Sequence, residues 1–198
     1  MRTRVVVAIS FRMGSLPDVP LNTAWREKFL VARAKRRLHT AEAMTPQDFS
    51  EADRRHMHTA LQLAERAAKH GDVPIGAVVA RGDEALGEAG NERELRGDPA
   101  AHAEVLALRE ASEHLGGWRL LETTIYVTLE PCPMCAGAIT LARVPRLVYG
   151  AADPKGGAVG SVIDLFAEPV VNHRPSVEGG LLAGESAALL EAFFSDRR

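Results

Sequence analysis

Glu130-Pro131-Cys132-Pro133-Met134-Cys135 sits between two stretches of different character. Before it, Thr124 to Leu129 reads as a strand; after it, Pro133 to Arg143 reads as an almost wholly apolar helix. The two sulfurs therefore fall at the start of a buried helix. There the unpaired backbone N–H groups and the positive end of the helix dipole favour thiolate over thiol. Thiolates so placed bind a metal or carry out redox chemistry. Cys-x-x-Cys after a strand leaves zinc and a thioredoxin-like dithiol equally open.

Further strands and helices alternate around this junction. Apolar residues at Met57, Ala60, Leu61, Ala64 and Ala68 recur at helical spacing between Phe49 and His70, and Ser50 with Asp53 three residues on supplies a start signal. Ile75 to Ala80 and Ala85 to Ala89 read as a hairpin connected through Arg81-Gly82-Asp83-Glu84. Asp98-Pro99 leads into a second helix over Ala101 to Leu115; Arg146 to Ala151 is a further strand and Leu181 to Phe194 a last helix. Strand pairs joined through helices predict an α/β layered fold with a mixed sheet.

A chain of 198 residues suits one domain with room for an arm, and 46% apolar with 25% charged residues is the composition of a globular protein. No apolar stretch approaches the roughly 18 residues of a membrane span, so no membrane partner is expected. Two neighbouring cysteines make no disulfide framework and point to an intracellular, cytoplasmic protein. The net charge of −2 divides unevenly: residues 1–43 carry +6 and residues 44–198 carry −8. A nucleic-acid partner of so acidic a body would have to use a local basic patch. Residues 1–43 show no sustained period and are read as an extension, disordered or produced by a misassigned start. An organelle transit peptide and a basic nucleic-acid arm are the other readings. Of the 24 basic residues only Lys28, Lys35, Lys69 and Lys155 are lysines, a bias of GC-rich coding sequence in which upstream starts are easily misassigned, with Met44 as the true first residue.

Ala101-His102-Ala103-Glu104 decides between zinc and dithiol chemistry. One imidazole and two thiolates from Cys132 and Cys135 make three ligands, and tetrahedral zinc then keeps a fourth position for water, as catalytic sites do and four-ligand structural sites do not. Glu104, two residues past His102, is placed to take a proton from that water without binding the metal. His102 alone would read as a core or capping histidine. Joined to Pro-Cys-x-x-Cys thirty residues on, it reads as a ligand.

The pattern resembles the zinc-dependent nucleobase deaminases and, within them, the tRNA-specific adenosine deaminases that make wobble inosine. The resemblance runs from about Phe49 to Arg198 and rests on Val73-Pro74-Ile75-Gly76-Ala77-Val78, Asp98-Pro99-Ala100-Ala101-His102-Ala103-Glu104, Leu129 to Ala138, Gly150-Ala151-Ala152-Asp153 and Asn172-His173-Arg174. It implies a three-layer α/β/α cytidine deaminase-like fold over residues 44–198 and one Zn2+ per chain. It further implies a homodimer whose active site includes residues of the second subunit, and hydrolysis of adenosine to inosine in a tRNA anticodon stem-loop. A loop base can be splayed into a pocket at low unstacking cost. The segment before Met44 matches nothing in that family.

Candidate substrate contacts follow, each beside a plainer reading. By resemblance Asn91 hydrogen-bonds the nucleoside; otherwise it ends a strand in a turn. Asp153 accepts from a ribose 2′-hydroxyl or forms an Asp-Pro turn. Lys155 opens a glycine-containing loop that approaches phosphates or is simply flexible. Asn172 belongs to the same implied set, and His173 stacks a base or faces water. Arg174, with Arg197 and Arg198, supplies the basic patch or is one of several scattered surface arginines. Rival functions are a free-base or nucleotide deaminase of guanine or cytidine type, a non-catalytic zinc-stabilised RNA-binding subunit, and a Cys-x-x-Cys oxidoreductase. Retention of Glu104 argues against the second, and the last leaves His102 and Glu104 without a task.

Overall fold

The computed structural model describes residues 49–195 and 197; the expectations for residues 1–43, Met44 and Arg198 lie outside the described residues. Helix α1, Glu51–Lys69, begins as the sequence predicts. The Ser50 side chain accepts the Asp53 N–H, and the Asp53 carboxylate accepts the Ser50 N–H, at 3.1 and 2.9 Å. This reciprocal cap satisfies two of the orphan donors of a helix start. Strands β1, Gly76–Arg81, and β2, Glu84–Gly90, pair closer to their turn than the sequence indicated, with Arg81 opposite Glu84. The two-residue turn is possible because Gly82 takes a φ of 59°, where a side chain would be strained.

A short helix, α2 (Arg93–Arg96), precedes α3 (Ala103–Leu115); then come β3 (Thr124–Leu129), α4 (Pro133–Ala142), β4 (Arg146–Ala151), β5 (Ser176–Gly179) and α5 (Ala183–Ser195). The sheet order is β2-β1-β3-β4-β5, with β1 antiparallel to both neighbours and β3, β4 and β5 mutually parallel. Alternate residues of the strands face opposite layers, as the pleat requires. Ala77, Val79, Ile125 and Val127 join one buried cluster with Ala107 and Ala111 of α3 and Ala136 and Ile139 of α4. Val78, Ala80, Tyr126 and Val148 join another with Met57, Ala60 and Leu63 of α1. The result is the expected α/β/α architecture around a mixed sheet.

Among the helices and strands just named, two were not expected. β5 is only four residues and no apolar alternation marks it. It is held at the edge partly by Arg146, whose guanidinium pairs with Glu178 of β5 at 2.9 Å and with Asp53 of α1 at 2.5 Å. Helix α2 buries no residue; it is fixed from outside, because the buried Asp72 carboxylate accepts the N–H groups of Glu94 and Leu95 at 2.8 and 3.1 Å. Helix α3 starts two residues later than expected, which leaves His102 as its capping residue in extended backbone.

Candidate active site

Two helix starts meet where the parallel strands end. His102 caps α3 and Cys132 caps α4, both with extended backbone, and Cys135 lies in the first turn of α4. The local reason is the same at both: the chain leaves an extended segment and enters a helix, and neither capping side chain is spent on a bond to its own helix start. His102 Nδ1 is 3.7 Å from Cys132 Sγ and 3.5 Å from Cys135 Sγ, and the three ligand atoms lie within 4.8 Å of one another. Tetrahedral zinc, with bonds of about 2.3 Å to sulfur and 2.0 Å to nitrogen, holds nitrogen and sulfur ligands roughly 3.5 Å apart. The donor set and its spacing therefore fit zinc.

Electrostatics reinforce the arrangement. Contact with Cys135 draws the Cys132 thiol down to about 4 against the opposing effect of burial, and His102 helps; the same contact, together with burial, pushes Cys135 up. The hydrogen bond to Cys132 raises the His102 pKa in spite of burial. Glu104, on the first turn of α3, is 4% exposed, and its Oε2 is buried without a hydrogen-bond partner among the described residues. Burial pushes its carboxyl up, against the opposing pull of its own backbone N–H. An unpartnered buried carboxyl oxygen is costly in a fold that satisfies nearly all others, and such groups cluster where protons are transferred.

A model of the MafB19-like deaminase family matches residues 51–198. A tRNA-specific adenosine deaminase of Bacillus subtilis (strain 168) is 47% identical over 146 residues, spanning 74% of this chain and 91% of that protein. The chain belongs to the tRNA-specific adenosine deaminase family. A solved structure from work on A-to-I editing by tRNA:A34 deaminases at the wobble position of transfer RNA superposes on the deaminase with a TM-score of 0.67 at 46% identity, over 69% of this chain and 99% of that one. A guanine deaminase of Bacillus subtilis shares the architecture more distantly, at 31% identity and a TM-score of 0.50 over 72% of this chain and 92% of that one.

The remaining predicted residues of the deaminase fall into two places. Asn91 follows β2 and is buried, its N–H donating to the Ile75 carbonyl at 2.9 Å. Asp153 follows β4; its Oδ1 accepts the Lys155 N–H at 2.9 Å, so it does form a turn, and the Lys155 side chain is exposed with no partner among the described residues. Asn172, His173 and Arg174 gather instead at the far end of α4. The Asn172 side-chain amide oxygen (Oδ1) accepts from Arg143 at 2.5 Å, His173 Nε2 bonds the Val144 carbonyl at 2.7 Å, and Arg174 donates to the Phe166 and Glu168 carbonyls at 2.7 and 3.3 Å. A ten-residue helix is about 15 Å long, so within one chain these three are well removed from the ligand set. Arg197 stacks on Phe193 and donates to the Gly71 carbonyl at 3.3 Å. Arg174 and Arg197 are thus bonded within their own chain, whereas Lys155 presents a cation with no bond to its side chain among the described residues.

Glu130 escaped the sequence reading. It is 2% exposed, and its carboxylate accepts the N–H groups of Asp153, Val159 and Ser161 and the Ser161 hydroxyl. Burial works against its charge, but these donors outweigh it and hold the pKa below the ordinary value. One signal was present: an acidic residue between an apolar strand and an apolar helix, where a charge needs a reason.

Proposed function

We propose that the protein hydrolyses adenosine to inosine at the wobble position of a tRNA anticodon loop, with zinc held by His102, Cys132 and Cys135 and proton transfer by Glu104. The observation that carries the reading is the unpartnered, buried Oε2 of Glu104 beside the three converging ligand atoms. When bound, zinc supplies a Lewis acid that makes water nucleophilic near neutral pH. Glu104 would take one proton from the water that adds to adenine C6 and deliver it to N1, and would then carry the second proton of that water to the amine as the C6–N bond breaks. Adenosine and water become inosine and ammonia, and Glu104 ends in the state in which it began. A positioned carboxyl that both accepts and releases protons can serve both transfers. Asn91, buried at the end of β2, is the hydrogen-bonding partner for the nucleoside, and Asp153 and Lys155 flank the entry. The anticodon loop suits the site because its bases are already free of a duplex.

A cytoplasmic location is part of the proposal, supported by the kinship with enzymes named for work on tRNA; among the described residues no helix is long and apolar enough to cross a membrane. A second copy of the chain is the proposed partner, contributing residues to the site. Met134 and Leu141 on α4 are 40% and 71% exposed, and Val162, Ile163 and Val170 after β4 are 54%, 47% and 80% exposed. Exposed apolar groups in such number support a protein contact. Asn172, His173 and Arg174, distant from the ligand set of their own chain, reach substrate only in such an assembly.

The reading is tested by incubating purified protein with an anticodon stem-loop RNA, free adenosine and free cytidine, and measuring inosine and uridine. Inosine in the RNA alone is expected, and Glu104→Ala should lower turnover by about 10² to 10⁴-fold while zinc and RNA remain bound. Turnover of a free base or nucleoside with the stem-loop untouched would replace the substrate and keep the zinc chemistry.

A further inference from the structure

Glu130 is buried, charged and free of any ion pair among the described residues, and its environment has an unusual construction. Three backbone N–H groups, from Asp153, Val159 and Ser161, approach its carboxylate at 3.1, 3.1 and 3.0 Å, and the Ser161 hydroxyl donates as well. A buried charge is tolerated only when such donors replace its water. An amide would not serve: glutamine keeps one acceptor oxygen and turns an NH2 group toward N–H donors. The segment 153–161 is thus wrapped around a negative charge.

Close approach reinforces this. A methyl group on Gly157 would collide with the Glu130 carboxylate and lie 2.6 Å from the Asp153 carbonyl oxygen, so only glycine lets the backbone pass. The Ala158 N–H donates to the Pro131 carbonyl at 2.8 Å, and the Glu130 N–H to the Ala151 carbonyl at 2.8 Å. The segment is thereby attached to the two residues that precede the ligand Cys132, while Asp153 and Lys155 occupy its outer part.

We propose that Glu130 is a positioning residue: its carboxylate holds segment 153–161 as a wall beside the Cys132 ligand and presents Asp153 and Lys155 to the RNA. The inference rests on the wobble-deaminase reading. Glu130 itself touches neither substrate nor reacting atoms. Its charge acts on substrate affinity through the segment, and the chemical step is borne by Glu104 and the ligand set.

The experiment compares the full-length zinc-loaded parent with Glu130→Gln, Ser161→Ala, Lys155→Ala and the Glu130→Gln/Lys155→Ala double variant. It measures kcat and KM on an anticodon stem-loop, zinc content, and amide hydrogen exchange. Glu130→Gln should raise KM by about tenfold or more and lower kcat by no more than about threefold. Exchange at Asp153, Val159 and Ser161 should accelerate, with α4 amides and zinc content unchanged. Ser161→Ala, which removes one donor and leaves the charge, should shift KM in the same direction by less; it carries the test if Glu130→Gln does not fold. The KM effects of Glu130→Gln and Lys155→Ala should combine less than additively, because both act through one segment. A fall in kcat at constant KM, loss of zinc from a folded Glu130→Gln, additive effects, or a Ser161→Ala variant with the parent's KM would each overturn the proposal. A parent that neither binds nor deaminates the stem-loop overturns both readings, whereas an active parent with unshifted variants overturns this one alone.

Discussion

Replacing Gly76 with alanine should be among the most damaging single changes in the molecule, although it adds only one methyl group. Gly76 opens β1 directly beneath α1. A Cβ built there lies 2.8 Å from the Ala64 nitrogen and 2.9 Å from the Ala60 carbonyl carbon, and nearer still to the Ala60 oxygen. Every one of these is helix backbone, so no side chain can rotate away. Restoring a spacing of about 3.5 Å to the nearest of them, the Ala60 oxygen, requires α1 to retreat by more than ~1 Å from the strand. The movement would strip contacts from Met57, Ala60 and Ala64, all fully buried, and stretch the 3.1 Å hydrogen bond from the Gly76 N–H to Thr128 Oγ1. Overpacking typically costs about 1–3 kcal/mol, and backbone opposition places this case at the upper end. For a domain of this size about 3 kcal/mol corresponds to a fall in Tm of roughly 6–12 °C. Gly76 is paired with Gly90, which precedes Asn91, so deamination should fall along with stability. The assay is thermal unfolding by circular dichroism beside initial rates on a stem-loop. Gly184→Ala is the control: nothing lies within 4 Å of a Cβ there, and the residue sits in the exposed first turn of α5. It should be neutral or stabilising by up to about 1 kcal/mol. A Gly76→Ala protein melting within about 2 °C of the parent would refute the reasoning.

Metal analysis should find one zinc per chain, and Cys132→Ser should lose it together with part of the fold's stability; an active protein without metal would refute the assignment. Asp53→Asn should destabilise by about 1–3 kcal/mol near neutral pH, since it removes the charge facing Arg146 and leaves that guanidinium only Glu178. Burial opposes the charge of Asp53, but Arg146, Tyr126 and Ser50 together carry its pKa well below the usual range. Its contribution is therefore complete above about pH 4 and disappears as pH falls toward the folded value. The gap between parent and variant in urea unfolding should narrow below about pH 4, and a constant gap would contradict the network's role. Lys155→Ala should reduce the slope of log RNA affinity against log salt by about 0.7, and Arg197→Ala should change it little because Arg197 is bound within its own chain. A chain beginning at Met44 should deaminate like the full-length protein; weaker RNA binding would make residues 1–43 a basic arm.

The amino-acid sequence by itself determined the cluster of His102, Cys132 and Cys135, a group that could hold a metal, and most of the elements, because both are written in local signals. His-x-Glu and Pro-Cys-x-x-Cys are fixed spacings on single elements. The capping pair Ser50 and Asp53, the strands Thr124–Leu129 and Arg146–Ala151, and the helix after Cys132 each follow from periodicity or turn chemistry within a few residues. What depended on distant partners was not legible. β5 has four residues and no period, and it exists because β4 offers an edge and Arg146 a bond to Glu178. Helix α2 depends on Asp72, more than twenty residues earlier. His173 is bound to the Val144 carbonyl and Arg174 to the Phe166 carbonyl of their own chain. Glu130 has donors 23 to 31 residues away. Only the tertiary structure decided these, because a hydrogen bond across such a separation leaves no local pattern in either partner. It forms when packing of the layers brings the two together, and burial then makes leaving either group unpaired too costly.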